Sequence, residues 1–359
     1  MNKNHLLSLI ENQKLVIVGG SGGVGKTTLS ASIAIQAALE GRKVAVLTID
    51  PARRLGTTLG FRHLGNKLHY ISDQKLKPLQ KRPGGSLAAC MLDVKGTFDG
   101  IVSRYAPSSF IKERILLNPF YVQLSEALSG THEYMALEKI YEIRSSQEFD
   151  LLVLDTPSSD SFLQFLEAPL RLKSFLDRDI VRWFSTPRET TIGRLACAAF
   201  GKQFSSALSL LNKLAGGTVL ADLANFLTDF QSLFEGLRER TEEVEQLIKD
   251  REASLFLVTT CEVITTTQLH QLLEPLKAFE LRLSGFILNR TLDSLQSKSP
   301  SMNPLELALS NTAKRIITQQ EQLKKRLKKE QPKVPIFEVP LLKKDPSKII
   351  DLAQLSFTE

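Results

Sequence analysis

Near its start the chain reads Val16-Ile17-Val18-Gly19-Gly20-Ser21-Gly22-Gly23-Val24-Gly25-Lys26-Thr27-Thr28-Leu29, an apolar strand running into a glycine-rich turn that closes on Gly-Lys-Thr-Thr. Gly20 through Thr27 satisfy G-x-x-x-x-G-K-[ST], the pattern that holds nucleotide phosphates. The physical expectation is specific. Gly20, Ser21, Gly22, Gly23, Val24 and Gly25 turn consecutive backbone N–H groups toward phosphate oxygens, while Lys26 reaches the β- and γ-phosphates and Thr27 holds Mg²⁺. Thr28 opens a helix whose positive end faces the anion. The segment predicts binding of ATP or GTP.

Working outward, seven short apolar runs have strand length: Leu15 to Val18, Val44 to Ile49, Leu87 to Leu92, Leu151 to Leu154, Leu255 to Thr259, Leu283 to Leu288 and Val334 to Val339. Most are continuous rather than alternating, as strands covered on both faces of a parallel sheet are, and helical stretches separate them. The expected class is α/β, a doubly wound and mainly parallel sheet. The intervals from Leu92 to Leu151 and from Leu154 to Leu255 exceed what single crossover helices need. They predict helical insertions, at about 95–148 and 160–252, within a single domain spanning 1–359. In the second interval Leu220, Leu223, Phe226, Leu227, Phe230, Leu233, Phe234 and Leu237 recur every three or four residues, which marks an amphipathic helix. Its apolar face either closes the protein's own core or lines a groove for an apolar client helix.

Two acids stand where strands end. Thr48-Ile49-Asp50-Pro51-Ala52-Arg53-Arg54 follows the second run, so Asp50 is expected to face the phosphate loop and to position or deprotonate attacking water. Leu151-Leu152-Val153-Leu154-Asp155-Thr156-Pro157 ends a third strand in an acid, and Asp155 is expected to hold the Mg²⁺ shell. Asn289, after Phe286-Ile287-Leu288, has two readings, an amide paired with a purine edge or a turn-forming side chain.

At 359 residues, 42% hydrophobic and 24% charged, the composition is that of a globular protein. No apolar run reaches the length of a membrane span, and the first residues do not read as a signal peptide, so a cytoplasmic location is expected. Cys90, Cys197 and Cys261 lie far apart, without a C-x-x-C pair, and predict neither disulfides nor a zinc or arsenite site. A net charge of +7 permits polyanion binding, yet basic and acidic residues are interspersed and nucleic acid is not expected as a partner. The densest basic run, Lys324 to Lys329, reads first as a solvated helix face.

The stretches GGVGKTT at Gly22–Thr28, DPARRLG at Asp50–Gly56, DTPSS at Asp155–Ser159 and FILNR at Phe286–Arg290 together resemble the ArsA-type anion-transporting ATPases. That group includes factors that deliver tail-anchored membrane proteins, within the wider deviant-Walker class. Met91–Ser108 and Glu133–Glu142 look like its bacterial branch. The resemblance implies an ATPase that uses ATP and Mg²⁺, and a homodimer or heterodimer that closes across nucleotide. It implies that Asp50 is the switch I acid, that Asp155 begins switch II, that Asn289 contacts adenine, and that Pro340 and Leu341 lie beside the base. The two helical insertions would form a subdomain for a client or partner, such as a membrane-targeted protein.

The chain departs from that pattern at Ser21, where family members usually carry a lysine that reaches the other subunit's phosphates. Serine is short and neutral and does not replace that charge. Arg53 and Arg54 are read as surface or structural ion pairs rather than substitutes. A second reading is therefore a slow or non-hydrolysing regulatory subunit paired with a lysine-bearing paralogue. A third is a ParA-like partition switch.

Overall fold

The computed structural model describes residues 5–50, 54–61, 63–118, 121–122, 132–177, 218–261, 266–292, 304–344, 346 and 348–359. Its contacts divide the chain into two compact units, residues 1–91, 146–163 and 247–359 in one, and 92–145 and 164–246 in the other.

The first unit is built on eight strands: β1 (Leu15–Gly20), β2 (Lys43–Thr48), β3 (His69–Tyr70), β4 (Ser86–Met91), β5 (Leu151–Asp155), β6 (Ala253–Thr259), β7 (Leu283–Thr291) and β8 (Ile336–Pro340). They form one sheet in the order β3-β4-β2-β5-β1-β6-β7-β8. All neighbours are parallel except β3 and β4. The seven apolar runs are thus seven strands, with ends shifted by at most three residues. The short antiparallel β3 is added at the edge, where His69 and Tyr70 pair with Ala89 and Ala88. β1 is buried along its whole length, as a strand with helices on both faces must be.

The sequence after β1 forms α2 (Lys26–Leu39), preceded in the chain by α1 (His5–Ile10). In α2 every residue from Leu29 to Leu39 is buried, among them four alanines. Small side chains let this helix sit close to the sheet on one side and to the C-terminal helix Ile349–Ala353 on the other. Two of its buried polar groups, Ser32 and Gln36, are satisfied there: Ser32 Oγ donates to Leu352 O at 2.7 Å and Gln36 Nε2 to Leu355 O at 2.9 Å, whereas the buried Ser30 Oγ has no partner among the described residues. Left unmade, such buried donors would cost roughly 1–3 kcal/mol each. α2 is therefore held in place along its length, and with it the loop at its N-terminus.

The second unit is helical: the helices Val94–Tyr105, Ser109–Leu117 and His132–Ser145, most of the helix Ser159–Asp177 and most of the helix Thr218–Lys249. The predicted amphipathic stretch lies on the last of these. Leu233 and Leu237 are buried, while the side chains of Leu220, Leu223, Phe226, Leu227, Phe230 and Phe234 lie outside the described residues, as do Cys197 and residues 51–53. Farther along the same helix, Arg240 and Glu138 form a buried ion pair at 2.8 Å, with the guanidinium 4.0 Å from the Tyr105 ring centre. Burial nevertheless pushes the Glu138 carboxyl up to about 6, against the pull of Arg240. Because its folded value lies above the ordinary 4.5, the stability this carboxyl contributes is greatest below about pH 4.5 and declines as pH rises through 6.

Arg240→Leu strands that carboxylate, and we expect a loss of about 3–5 kcal/mol at pH 7. The loss should shrink at pH 5, where Glu138 becomes neutral. Urea melts at the two pH values check this, and equal losses would contradict it.

Candidate functional site

The strand order places the site. β1 lies between β5 and β6, and β2 lies beyond β5, so the segments leaving β1, β2 and β5 emerge at one edge of the sheet. In open α/β sheets ligands bind at the carboxyl ends of strands where the order reverses. The turn after β1, residues Ser21 to Gly25, stands at that point.

Its glycines are required by geometry. Gly20 has φ of 143°, and a Cβ there would lie 2.2 Å from Val258 O on β6. Gly25, which caps α2, has φ of 97°, and a Cβ would lie 2.3 Å from Asn289 Nδ2. Both positions combine left-handed backbone with close approach, and only glycine meets both demands. Gly22 and Gly23 are exposed, Ser21 is half-buried and Val24 is buried beneath the turn. Thr27 and Thr28 are half-buried in the first turn of α2.

Lys26 is buried and folds back over the turn. Its Nζ donates to Gly20 O at 3.0 Å and to Ser21 O at 2.8 Å. Burial holds its pKa below the usual lysine value, opposed by the charges of Asp155 and Asp50. The ammonium is thus preorganised, with both acids within electrostatic reach.

Asp155 ends β5 fully buried, flanked in the sheet by Val18 on β1 and Thr48 on β2. Its Oδ2 accepts from Thr48 Oγ1 at 2.9 Å, and the Thr27 hydroxyl also bonds the carboxylate. Oδ1 has no partner. Burial raises this carboxyl to about 6, against the hydroxyls and Lys26, which favour the ionised form. Buried carboxylate oxygens are rarely left unsatisfied. An orphaned oxygen beside the phosphate-loop threonine is a donor set suited to a hard divalent cation or its water shell.

Asp50 is half-buried just beyond β2, and its charge acts on both Lys26 and Asp155. Arg54, which begins α3 (Arg54–Leu59), is exposed. Asn289 lies two strands away from β1, on β7, and reaches the turn: its Nδ2 donates to Val24 O at 2.8 Å. Its Oδ1 accepts from Arg290 N at 2.9 Å, and Arg290 takes φ of 60° at a register shift between β7 and β8. Asn289 thus lies within β7 and braces the turn after β1 through its side chain. Its amide retains one N–H and one lone pair for a base edge. Beyond the shift Thr291 pairs with Pro340, which ends β8, and Leu341 N donates to Thr291 O at 2.8 Å. Leu341 itself is 54% exposed.

Sequence reasoning did not single out Thr48, Thr156 or Phe162. Thr156 Oγ1 donates to Val18 O at 2.8 Å, tying the start of the loop after β5 to β1. Phe162 packs on Gly19, where a Cβ would meet its ring at 2.8 Å. The available signal was polar: Thr48 is a hydroxyl at the end of an otherwise apolar strand. Among the described residues no helix is long and apolar enough to cross a membrane.

The profile of the family described as "Anion-transporting ATPase" matches residues 13–357. The protein named ATPase get3 of Aspergillus niger is 25% identical over 296 residues, 81% of this chain and 77% of that protein. ATPase GET3 of Malassezia globosa is 25% identical over 280 residues, 78% of this chain and 73% of the relative. These relatives are fungal, so the likeness to a bacterial branch rests on the two stretches quoted for it. Phosphate loop, parallel sheet and a match over nearly the whole length agree, and this chain belongs to the anion-transporting ATPase family of P-loop ATPases.

Proposed function

We propose that the protein hydrolyses ATP with Mg²⁺ and couples the nucleotide state to closure of a dimer and to binding of a protein client or partner. The observation that carries the catalytic part is the buried Asp155 carboxylate, one oxygen held by Thr48 and the other without a partner, beside Thr27 and Lys26. In a site of this kind Thr27 and Asp155 hold the metal or its waters, and the amides from Ser21 to Thr28 receive the phosphates. Bound ATP and Mg²⁺ supply the electrophilic γ-phosphorus and neutralise charge on its oxygens. Lys26 leaves the Gly20 and Ser21 carbonyls to meet the phosphates, at the cost of two hydrogen bonds that the anion replaces. Asp50 orients the attacking water and accepts its proton. Asn289 braces the turn through Val24 O and offers its remaining hydrogen-bonding capacity to adenine, with Pro340 and Leu341 at the side of the base. Coupling to a dimer and a client rests on the family likeness and on the helical unit inserted between β4 and β6.

Lys26→Ala tests the site. It removes a buried cation whose hydrogen-bond partners among the described residues are two backbone carbonyls, so the fold should persist while ATP affinity falls at least about tenfold, the scale of losing charge-assisted hydrogen bonds to phosphate. Equilibrium titration with a fluorescent ATP analogue, alongside a melting curve, measures both. Unchanged affinity in a folded variant would overturn the phosphate-binding role.

A second reading is favoured by Ser21, a neutral residue at the lip of the turn: a subunit that hydrolyses ATP slowly alone and regulates a lysine-bearing paralogue. Turnover of the purified chain, alone and with candidate paralogues, separates the two.

A further inference from the structure

Away from the phosphate loop, the end of α3, the helical turns Asp73–Leu79 and the start of the C-terminal helix line an open cavity of about 380 Å³. Leu59 and Ile349 form its buried floor as part of the main core, and Leu79 packs against that core beside them. Ile350, 42% exposed, leaves a large apolar side chain at the open rim. The remaining charged lining is of one sign, the ammonium groups of Lys75 and Lys348. Neither lysine side chain has an ion-pair partner among the described residues. Among the described residues, Asp73 pairs with Lys77 at 2.7 Å, and Asp351 Oδ2 accepts from the Lys348 backbone N–H at 3.1 Å. Gly60, at φ of 77°, leaves backbone without a side chain here, and a Cβ would stand 4.0 Å from Lys75 Nζ.

An apolar floor with a rim of two cations that have no ion-pair partner among the described residues is complementary to a molecule with an apolar body and one anionic end. The volume lies near the low end of small-molecule sites, roughly 300–1,000 Å³, which suits a medium-chain tail and not a full-length lipid. We infer that this cavity binds an amphiphilic anion of the medium-chain alkyl carboxylate class, its tail over Leu59, Leu79 and Ile349 and its carboxylate between Lys75 and Lys348. The inference is independent of the hydrolytic reading above, because none of these residues belongs to the phosphate site.

Calorimetric titration of the full chain with decanoate, kept below its micelle concentration, tests it. Saturable binding at a single site is expected. Lys75→Glu combined with Lys348→Glu should weaken it about tenfold or more, the scale of lost charge-assisted contacts. Both side chains are exposed, so the variant should fold, and an unchanged melting curve would confirm this. Decanol and acetate, each lacking one half of the amphiphile, should bind at least about tenfold more weakly than decanoate. In a second variant, Ile350→Glu, binding should also fall. Absence of saturable decanoate binding, equal binding by decanol, or wild-type affinity in the double variant would each overturn the assignment.

Discussion

Asp50→Asn is expected to leave ATP affinity within a factor of about two while lowering turnover by about 10²–10⁴-fold, the usual contribution of a positioned general base. The separation follows from where the residue stands. In the proposed site Lys26 and the amides of the turn hold phosphate on one side, and Asp50 follows β2, the neighbour of the strand that carries Asp155. Its charge reaches both Lys26 and Asp155, yet it is not itself in the glycine turn. Asparagine keeps the shape and a hydrogen-bonding oxygen but accepts no proton at neutral pH. Single-turnover hydrolysis with excess enzyme isolates the chemical step from product release. If the variant cleaves ATP at the wild-type rate, another group positions the water.

The sheet was legible because its strands are continuously apolar and its helices are not. Each of the seven runs became a strand, and the long intervals after Leu92 and Leu154 led into helices. β3 escaped for a physical reason: two residues, His69 and Tyr70, have no periodicity to display, and their pairing is fixed by contact with β4. The site was legible where motif chemistry is local. Gly20, Gly25 and Lys26 follow one another in sequence, and the backbone demands at 20 and 25 explain why the spacing is fixed.

Contacts that arise from strand order were harder to read. Thr48 meets Asp155 only because β2 and β5 are neighbours, although 107 residues separate them. Asn289 supports Val24 across 265 residues. A sequence shows that Asn289 follows an apolar run, but not that its amide is spent partly on bracing the turn after β1. The orphaned oxygen of Asp155 is likewise a property of packing: the carboxylate is unsatisfied because the fold buries it where neighbouring hydroxyls cover only one side.

Ser21→Lys is expected to raise turnover of the isolated protein by up to about 10³-fold, the lower range seen when a cation supplied from another subunit stabilises phosphoryl transfer. Position 21 is half-buried, between the buried end of β1 and the exposed Gly22 and Gly23, and its carbonyl already accepts from Lys26 at 2.8 Å. The family likeness implies that a lysine here serves the opposite site of a dimer. A homodimer of this chain then lacks that cation at both sites. In a heterodimer with a lysine-bearing paralogue, the partner's lysine reaches the nucleotide held here, whereas Ser21 contributes no charge to the partner's nucleotide. This chain's site should therefore be the faster one, and Asp50→Asn here should silence the pair more than the equivalent change in the paralogue. Steady-state turnover of the homodimer with and without the added lysine, followed by the two crossed heterodimers, measures each step. If the homodimer is already fully active and the added lysine leaves its rate unchanged, a different residue neutralises the transition-state charge, and the asymmetry argued from Ser21 fails with it.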